Sequence, residues 1–144
     1  MSAIQGSTII PSARYRDAHA AIEWLCRVFG FTRQAVYEGP NDTVAHAELT
    51  LGAGMFMLGS AANGGDFADR TIALEQTGGR ETLGLYLVVE DCRAVYERAK
   101  AAGAEILQEL HAPPYGGEAF ACRDLEGHIW SVGSYNPWAE ENNA

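Results

Sequence analysis

The chain has 144 residues, of which 47% are hydrophobic and 20% charged, and 10 Lys and Arg against 19 Asp and Glu give a formal charge of −9. This composition predicts one folded domain, residues 1–144, and excludes disordered and fibrous classes of protein. The acidic excess argues against nucleic acid and membrane surfaces as partners, because both attract cationic proteins.

The longest strongly apolar stretch, 83–89, is far short of the ~20 residues that a transmembrane helix needs. The first residues, MSAIQGST, lack the cationic and apolar segments of a secretory signal, so we expect a cytoplasmic location. Three widely spaced cysteines, Cys26, Cys92 and Cys122, fit reduced core thiols better than a disulfide framework.

Residues 8–60 predict a first βαβββ module. A strand-like run from Thr8 to Arg16 precedes Asp17, which can cap a helix, and the apolar residues that follow have the spacing of one helix face. Gly30 ends this helix, and three more strand-like segments follow at 32–38, 43–51 and 55–60.

The same order of elements recurs 74 residues later. Asp91 stands 74 residues after Asp17, and the apolar residues behind it keep the same offset. Residues 82–135 therefore predict a second βαβββ module, with strands at 82–89, 104–111, 118–123 and 128–135. Residues 61–81 predict a linker or lid, and 136–144 a polar tail.

Two such modules cannot each bury a sheet face alone. Paired, they predict an α+β fold in which two βαβββ modules form a curved eight-stranded sheet, with helices outside and a cleft inside that suits a small ligand.

Four stretches of the chain resemble the vicinal oxygen chelate superfamily, which includes glyoxalase I, extradiol dioxygenases and bleomycin-resistance proteins. They read RYRDAHAAIEWLCRVFGF, VAHAELTLGAGMFMLGS, LYLVVEDCRAVYERAKAAGAEI and PPYGGEAFACRDLEGHIWSVGSY. The last is the most specific, because it combines YG, an RD-x-EG turn and a strand that contains Trp.

The resemblance implies four inward-facing strand positions at which catalytic members hold a divalent metal with His and Glu. Here these positions fall at Ile10, Met57, Ser131 and Leu85, or at Gly84 instead of Leu85 if the register shifts by one. These side chains cannot supply the donors that a divalent cation needs. The resemblance therefore points to the metal-free branch, with no catalytic residue, no metal and no cofactor.

Two histidines keep an enzyme in view. His46 and Glu48 are two residues apart on a predicted strand and share a face, which allows a metal site or an acid/base pair. His128 follows the DLEG turn, where it can contact a ligand or simply flank the turn. The alternative function is a metal-dependent, glyoxalase-like lyase or isomerase with a site rebuilt from these three residues.

Aromatic residues on the predicted strands can stack on a planar ligand, although they can also be core residues. Arg14 and Arg16 flank Tyr15, so one face of the first strand could bring a cation to the pocket, with solvent exposure as the alternative. The candidate ligand-binding residues are Trp130, Tyr115, Phe56, Met57, Tyr86, Leu85, Ser131, His128 and His46.

The favoured hypothesis is a homodimeric protein of the bleomycin-resistance type that sequesters a small planar or cationic molecule in a metal-free cleft and so gives antibiotic resistance. A third alternative is an interaction domain whose cleft is occluded.

Overall fold

The computed structural model describes residues 5–63 and 65–139. The described chain forms two compact units that divide between Gly78 and Gly79. Neither unit contains a helix with the length and apolar character to cross a membrane. Residues 140–144 of the predicted tail lie outside the described residues.

The first unit contains one helix and four strands: β1 (Ser12–Tyr15), α1 (Ala18–Phe29), β2 (Thr32–Glu38), β3 (Val44–Leu51) and β4 (Gly54–Ser60). The strands form one sheet in the order β1-β4-β3-β2, in which β1 is parallel to β4 and the other pairs are antiparallel.

The second unit repeats this arrangement with β5 (Leu85–Val88), α2 (Cys92–Ala101), β6 (Ile106–His111), β7 (Ala119–Arg123) and β8 (Ile129–Gly133). Its sheet has the order β5-β8-β7-β6, with the parallel pair again formed by the first and last strands. The α+β class and the double βαβββ order are confirmed, and the eight strands form two four-stranded sheets.

The two helices begin in the same way. The Asp17 carboxylate accepts a hydrogen bond from Ala20 N, and the Asp91 carboxylate accepts one from Ala94 N, both at 3.1 Å. These bonds satisfy amide groups that the first helical turn leaves without a partner. Gly30 ends α1 at φ 90°, a left-handed conformation that glycine adopts without strain.

Each unit buries its own core on the helix side of its sheet. In the first unit, α1 contacts all four strands, and Tyr15, Leu49 and Leu58 are fully buried. In the second, α2 contacts β6 and β7, and Phe120 and Val132 are fully buried. The opposite face of each sheet, its open face, carries the residues that alternate with this core.

The parallel strands β1 and β5 are shorter than the sequence predicts. Pro11 has no N–H to donate to a strand ladder, so the chain before Ser12 keeps only part of the pairing, in which Met57 N donates to Pro11 O at 3.0 Å. Within the predicted linker, the described residues form three short 3₁₀ turns: Ala61–Asn63, Gly65–Phe67 and Leu74–Thr77.

Candidate functional site

The open face of the first sheet is defined by the pairing register. Met57 of β4 lies opposite Ser12 of β1 and opposite Glu48 of β3, so these three side chains point to the same side. His46 precedes Glu48 by two residues and shares this face. Met57, His46 and Glu48 are half-buried.

His46 and Glu48 form a pair on this face. Their Nε2 and Oε2 atoms are 3.0 Å apart, and the Tyr37 ring stacks on the imidazole with ring centres 6.1 Å apart and an interplanar angle of 19°. The two side chains share a face, as their spacing predicts, and the Glu48 carboxylate contacts the His46 imidazole.

Arg14 lies on the same open face, one row along the sheet. It is paired with Gly59 of β4, and a Cβ placed on that glycine would lie 2.7 Å from Arg14 Nη1. The guanidinium therefore occupies the space that a side chain at position 59 would take.

The open face of the second sheet is built in the same register. Tyr86 of β5 lies opposite Ser131 of β8, and both are exposed. A Cβ placed on Gly133 would lie 2.5 Å from the Tyr86 hydroxyl oxygen and 3.0 Å from its Cε1, so the phenol ring covers that glycine.

Tyr86 belongs to a cluster of three tyrosines. Its hydroxyl donates to the Tyr135 carbonyl at 2.7 Å, and the rings of Tyr135 and Tyr115 meet edge to face with centres 4.8 Å apart. Tyr115 is 59% exposed and Tyr86 43% exposed. Burial, with smaller contributions from Tyr115, Cys92 and Tyr135, raises the pKa of Tyr86, so the phenol is a neutral donor at ordinary pH.

Two predicted ligand contacts are core residues instead. Trp130 is 2% exposed, and its Nε1 donates to Asp124 Oδ2 at 3.0 Å. Phe56 is also 2% exposed and packs edge to face on Tyr15. Both rings point to the helix side of their sheets, because they alternate with the open-face residues Ser131 and Met57.

Leu85 is also on the helix side, because it lies opposite Trp130 in the parallel pair. By strand alternation, the open-face register of the second sheet passes through Tyr86 and Gly84, which favours the alternative Gly84 for the first-strand position. Ile10 lies before β1 and is partly exposed.

His128 is a half-buried residue with its own carboxylate. The Glu81 Oε2 atom lies 3.2 Å from His128 Nδ1 and accepts a hydrogen bond from Ile129 N at 3.1 Å. Glu81 thus accepts a hydrogen bond from a backbone amide at the start of β8, before the pairing of β8 with β5 begins at Trp130. His128 lies in the second unit, whereas the His46–Glu48 pair lies in the first.

The residues at the implied metal positions do not fit a divalent cation. Ile, Met, Ser and either Leu or Gly offer at most one hydroxyl and one thioether, whereas such sites use several His or carboxylate donors. Within residues 5–63 and 65–139, three such donors converge only at His19, Glu38 and Asp42. Their ligand atoms lie within 4.8 Å of one another, and both carboxylates are exposed.

Two of the three cysteines, Cys92 and Cys122, are buried core thiols, and Cys26 is half-buried. Burial raises the pKa of Cys92 to about 11 and that of Cys122 to about 12, and nearby carboxylates add to both shifts. At neutral pH these thiols are protonated and poor nucleophiles.

Sequence reasoning missed three residues of these sites: Asp124, Tyr37 and Glu81. Asp124 had a signal, since it lies in the RD-x-EG turn, and Tyr37 is an aromatic residue on a predicted strand. Glu81 had none, because its partners are 47 and 48 residues away along the chain.

Comparison with known proteins gives a family match over most of the chain. The profile of the Glyoxalase/Bleomycin resistance protein/Dioxygenase superfamily matches residues 10–132. An uncharacterized protein of Mycobacterium bovis is 28% identical over 120 residues, which cover 81% of this chain and 76% of that protein.

Solved structures share the fold. TioX from Micromonospora sp. ML1 has a TM-score of 0.67 and 29% identity, covering 91% of this chain and 100% of that one. A glyoxylase/bleomycin resistance protein/dioxygenase domain from Frankia sp. EAN1pec has a TM-score of 0.67 and 19% identity, covering 99% and 100%. At that identity the second likeness concerns the fold alone.

Proposed function

The chain belongs to the Glyoxalase/Bleomycin resistance protein/Dioxygenase superfamily, and from this premise we propose that it binds and sequesters a small planar or cationic molecule without a metal ion. The observation that carries the proposal is the tyrosine cluster, Tyr86, Tyr115 and Tyr135, beside Ser131 on the open face of the second sheet. Exposed aromatic rings offer stacking and cation–π contacts to such a ligand.

The chemistry of the implied metal positions supports binding without metal catalysis. Met57 and Ser131 occupy corresponding places in the two registers, and neither position carries a His or a carboxylate. A protein that holds its ligand through rings and a hydroxyl needs no metal for affinity.

The proposal is tested by a thermal-shift titration with 9-aminoacridine, a planar cation. A ligand at 100 times its dissociation constant adds about 2.7 kcal/mol to the free energy of unfolding. We expect stabilisation of the parent protein, loss of that stabilisation in Tyr115→Ala and retention in Trp138→Ala, which removes an isolated ring that is 90% exposed.

Failure of a wider panel of planar cations to stabilise the protein would instead favour an interaction domain with an occluded cleft. Turnover of the methylglyoxal–glutathione adduct with added nickel or zinc, abolished in His46→Ala, would favour the rebuilt enzyme. Because His46 and His128 each pair with a separate carboxylate, we expect no such turnover.

We also propose a homodimer, and light scattering should give twice the chain mass. Resistance to a planar cationic antibiotic is the expected consequence of sequestration, and expression in a sensitive host with the Tyr115→Ala variant as control tests it.

A further inference from the structure

We propose that Arg14, on the open face of the first sheet, is the anchor of a second binding site, one that takes a planar carboxylate. This site goes beyond the proposed function, because it uses an anionic group on the ligand and lies in a different unit from the tyrosine cluster.

The guanidinium of Arg14 lies against two glycines. Its Nη1 lies 2.7 Å from the place of a Gly59 Cβ, and its Nη2 lies 3.9 Å from the place of a Gly65 Cβ. Arg14 is half-buried and Gly59 is buried, so the cation lies on the sheet between two glycines rather than extending into water. A long arginine side chain held down in this way has already lost much of the rotamer freedom that binding would otherwise cost.

Arg14 has no counter-charge among the side chains that the structure describes. None of their carboxylates forms an ion pair with its guanidinium, and no carbonyl of the described backbone accepts a hydrogen bond from it. Its neighbour Arg16, by contrast, pairs with Glu75 at 3.0 Å. Glu48, a carboxylate on the same open face, is taken by His46. The guanidinium therefore keeps N–H donors that a carboxylate on a ligand can engage.

The neighbouring side chains give the shape of that ligand. Ala47 pairs with Leu58, so the next positions along these antiparallel strands, His46 and Gly59, continue the row that begins at Arg14. The row ends in the stacked rings of His46 and Tyr37. A guanidinium binds a carboxylate through two parallel N–H···O bonds, and a flat ligand attached to that carboxylate can lie toward the rings.

The test is calorimetric titration with benzoate and with benzamide, which share a shape and differ in charge. We expect the parent protein to bind benzoate and to discriminate against benzamide. Arg14→Gln should weaken benzoate binding about tenfold or more, the loss expected for charge-assisted hydrogen bonds. Arg16→Gln, which removes the same charge two residues away, should leave the affinity within about twofold.

Arg14→Lys provides a second reading that keeps the charge and removes the planar fork. Affinity between the parent and Arg14→Gln supports a bidentate site, and circular dichroism checks that each variant folds. Equal losses in Arg14→Gln and Arg16→Gln, equal binding of benzamide, or absence of benzoate binding to the parent would each overturn the inference. Binding of 9-aminoacridine reports separately on the tyrosine cluster, so failure of either site is recognised by itself.

Discussion

Asp124 is the buried carboxylate on which the second sheet depends. It is 5% exposed, its Oδ1 accepts from the amides of Glu126 and His128, and its Oδ2 accepts from Trp130 Nε1. Hydrogen bonds to a charged group contribute about 1.5–3 kcal/mol each. The family-like turn therefore serves to fix the Trp130 ring rather than to present it to a ligand.

Replacing this carboxylate tests that role. Asp124→Asn keeps one acceptor but brings an amide N–H against Trp130 Nε1, so we expect a loss of about 2–4 kcal/mol in the free energy of unfolding. Urea denaturation measures it, with Leu125→Ala in the same turn as the exposed control. The double variant Asp124→Asn with Trp130→Phe should lose less stability than the sum of the two single losses, and additive losses would contradict the pairing.

The buried thiols predict a dependence of stability on alkaline pH. The pKa values of Cys92 and Cys122 rise from 9.0 to about 11 and about 12 in the folded state. Because the unfolded thiols lose their protons first, the free energy of unfolding is unaffected below about pH 9 and falls as pH rises toward the folded values. Each thiol contributes up to about 1.4 kcal/mol per pH unit in that range.

Urea denaturation between pH 8 and 11 measures this slope. A variant with both Cys92→Ala and Cys122→Ala should show a shallower fall with pH than the parent protein. An identical slope would mean that other groups carry the alkaline dependence.

At the scale of elements, the helices α1 and α2 have equivalent N-terminal caps. Asp17 and Asp91 accept equivalent bonds at the first turns of α1 and α2. Each replacement by Ala should lower the free energy of unfolding by about 1 kcal/mol. The control is Glu23→Ala, which removes an exposed pair with Arg27 and should cost less than about 0.5 kcal/mol. If urea denaturation shows that Asp91→Ala leaves the free energy of unfolding unchanged, the two caps are not equivalent.

Local patterns were sufficient for most elements. The sequence predicts β2 with the bounds that the structure has, Thr32–Glu38, because its ends are turn residues on both sides. The capped helices are also found where the Asp and Gly signals place them. The strands β1 and β5 are shorter, since a strand ends where its partner's ladder ends, and that depends on residues about 45 positions away.

The site was predictable where strand alternation decides it and not where packing does. The side chains of Met57 and Ser131 lie on the open faces of their sheets, together with the residues opposite them on β1 and β5. The alternation of side chains along a strand predicts this placement. Trp130 and Phe56 are on the other face, and the aromatic type alone could not distinguish stacking from core packing. The sequence did not decide between Leu85 and Gly84 for the first-strand position of the second module. A register shift of one residue moves every side chain of a strand to the opposite face.

At the scale of the whole molecule, the charge of −9 should favour the approach of cationic ligands over that of anionic ones. A negative field speeds the approach of a cation, and salt screens it over about 8–10 Å at physiological strength. We therefore expect the association rate of 9-aminoacridine to fall as sodium chloride rises from about 20 to about 300 mM. Over this range the screening length falls from roughly 20 to roughly 6 Å. Stopped-flow fluorescence measures this rate, and a rate independent of salt would show that the net charge does not reach the site.

The paired glycines Gly59 and Gly133 extend the internal repeat beyond its secondary structure. They stand 74 residues apart, and each is covered by a long side chain from the neighbouring parallel strand: a guanidinium in one unit and a phenol in the other. If the two halves descend from one duplicated ancestor, the same glycine position is now covered by a guanidinium in one half and by a phenol in the other. The strand register around it has stayed the same. The change from a guanidinium to a phenol over this position required only substitutions on β1 and β5, without any change in the glycines beneath.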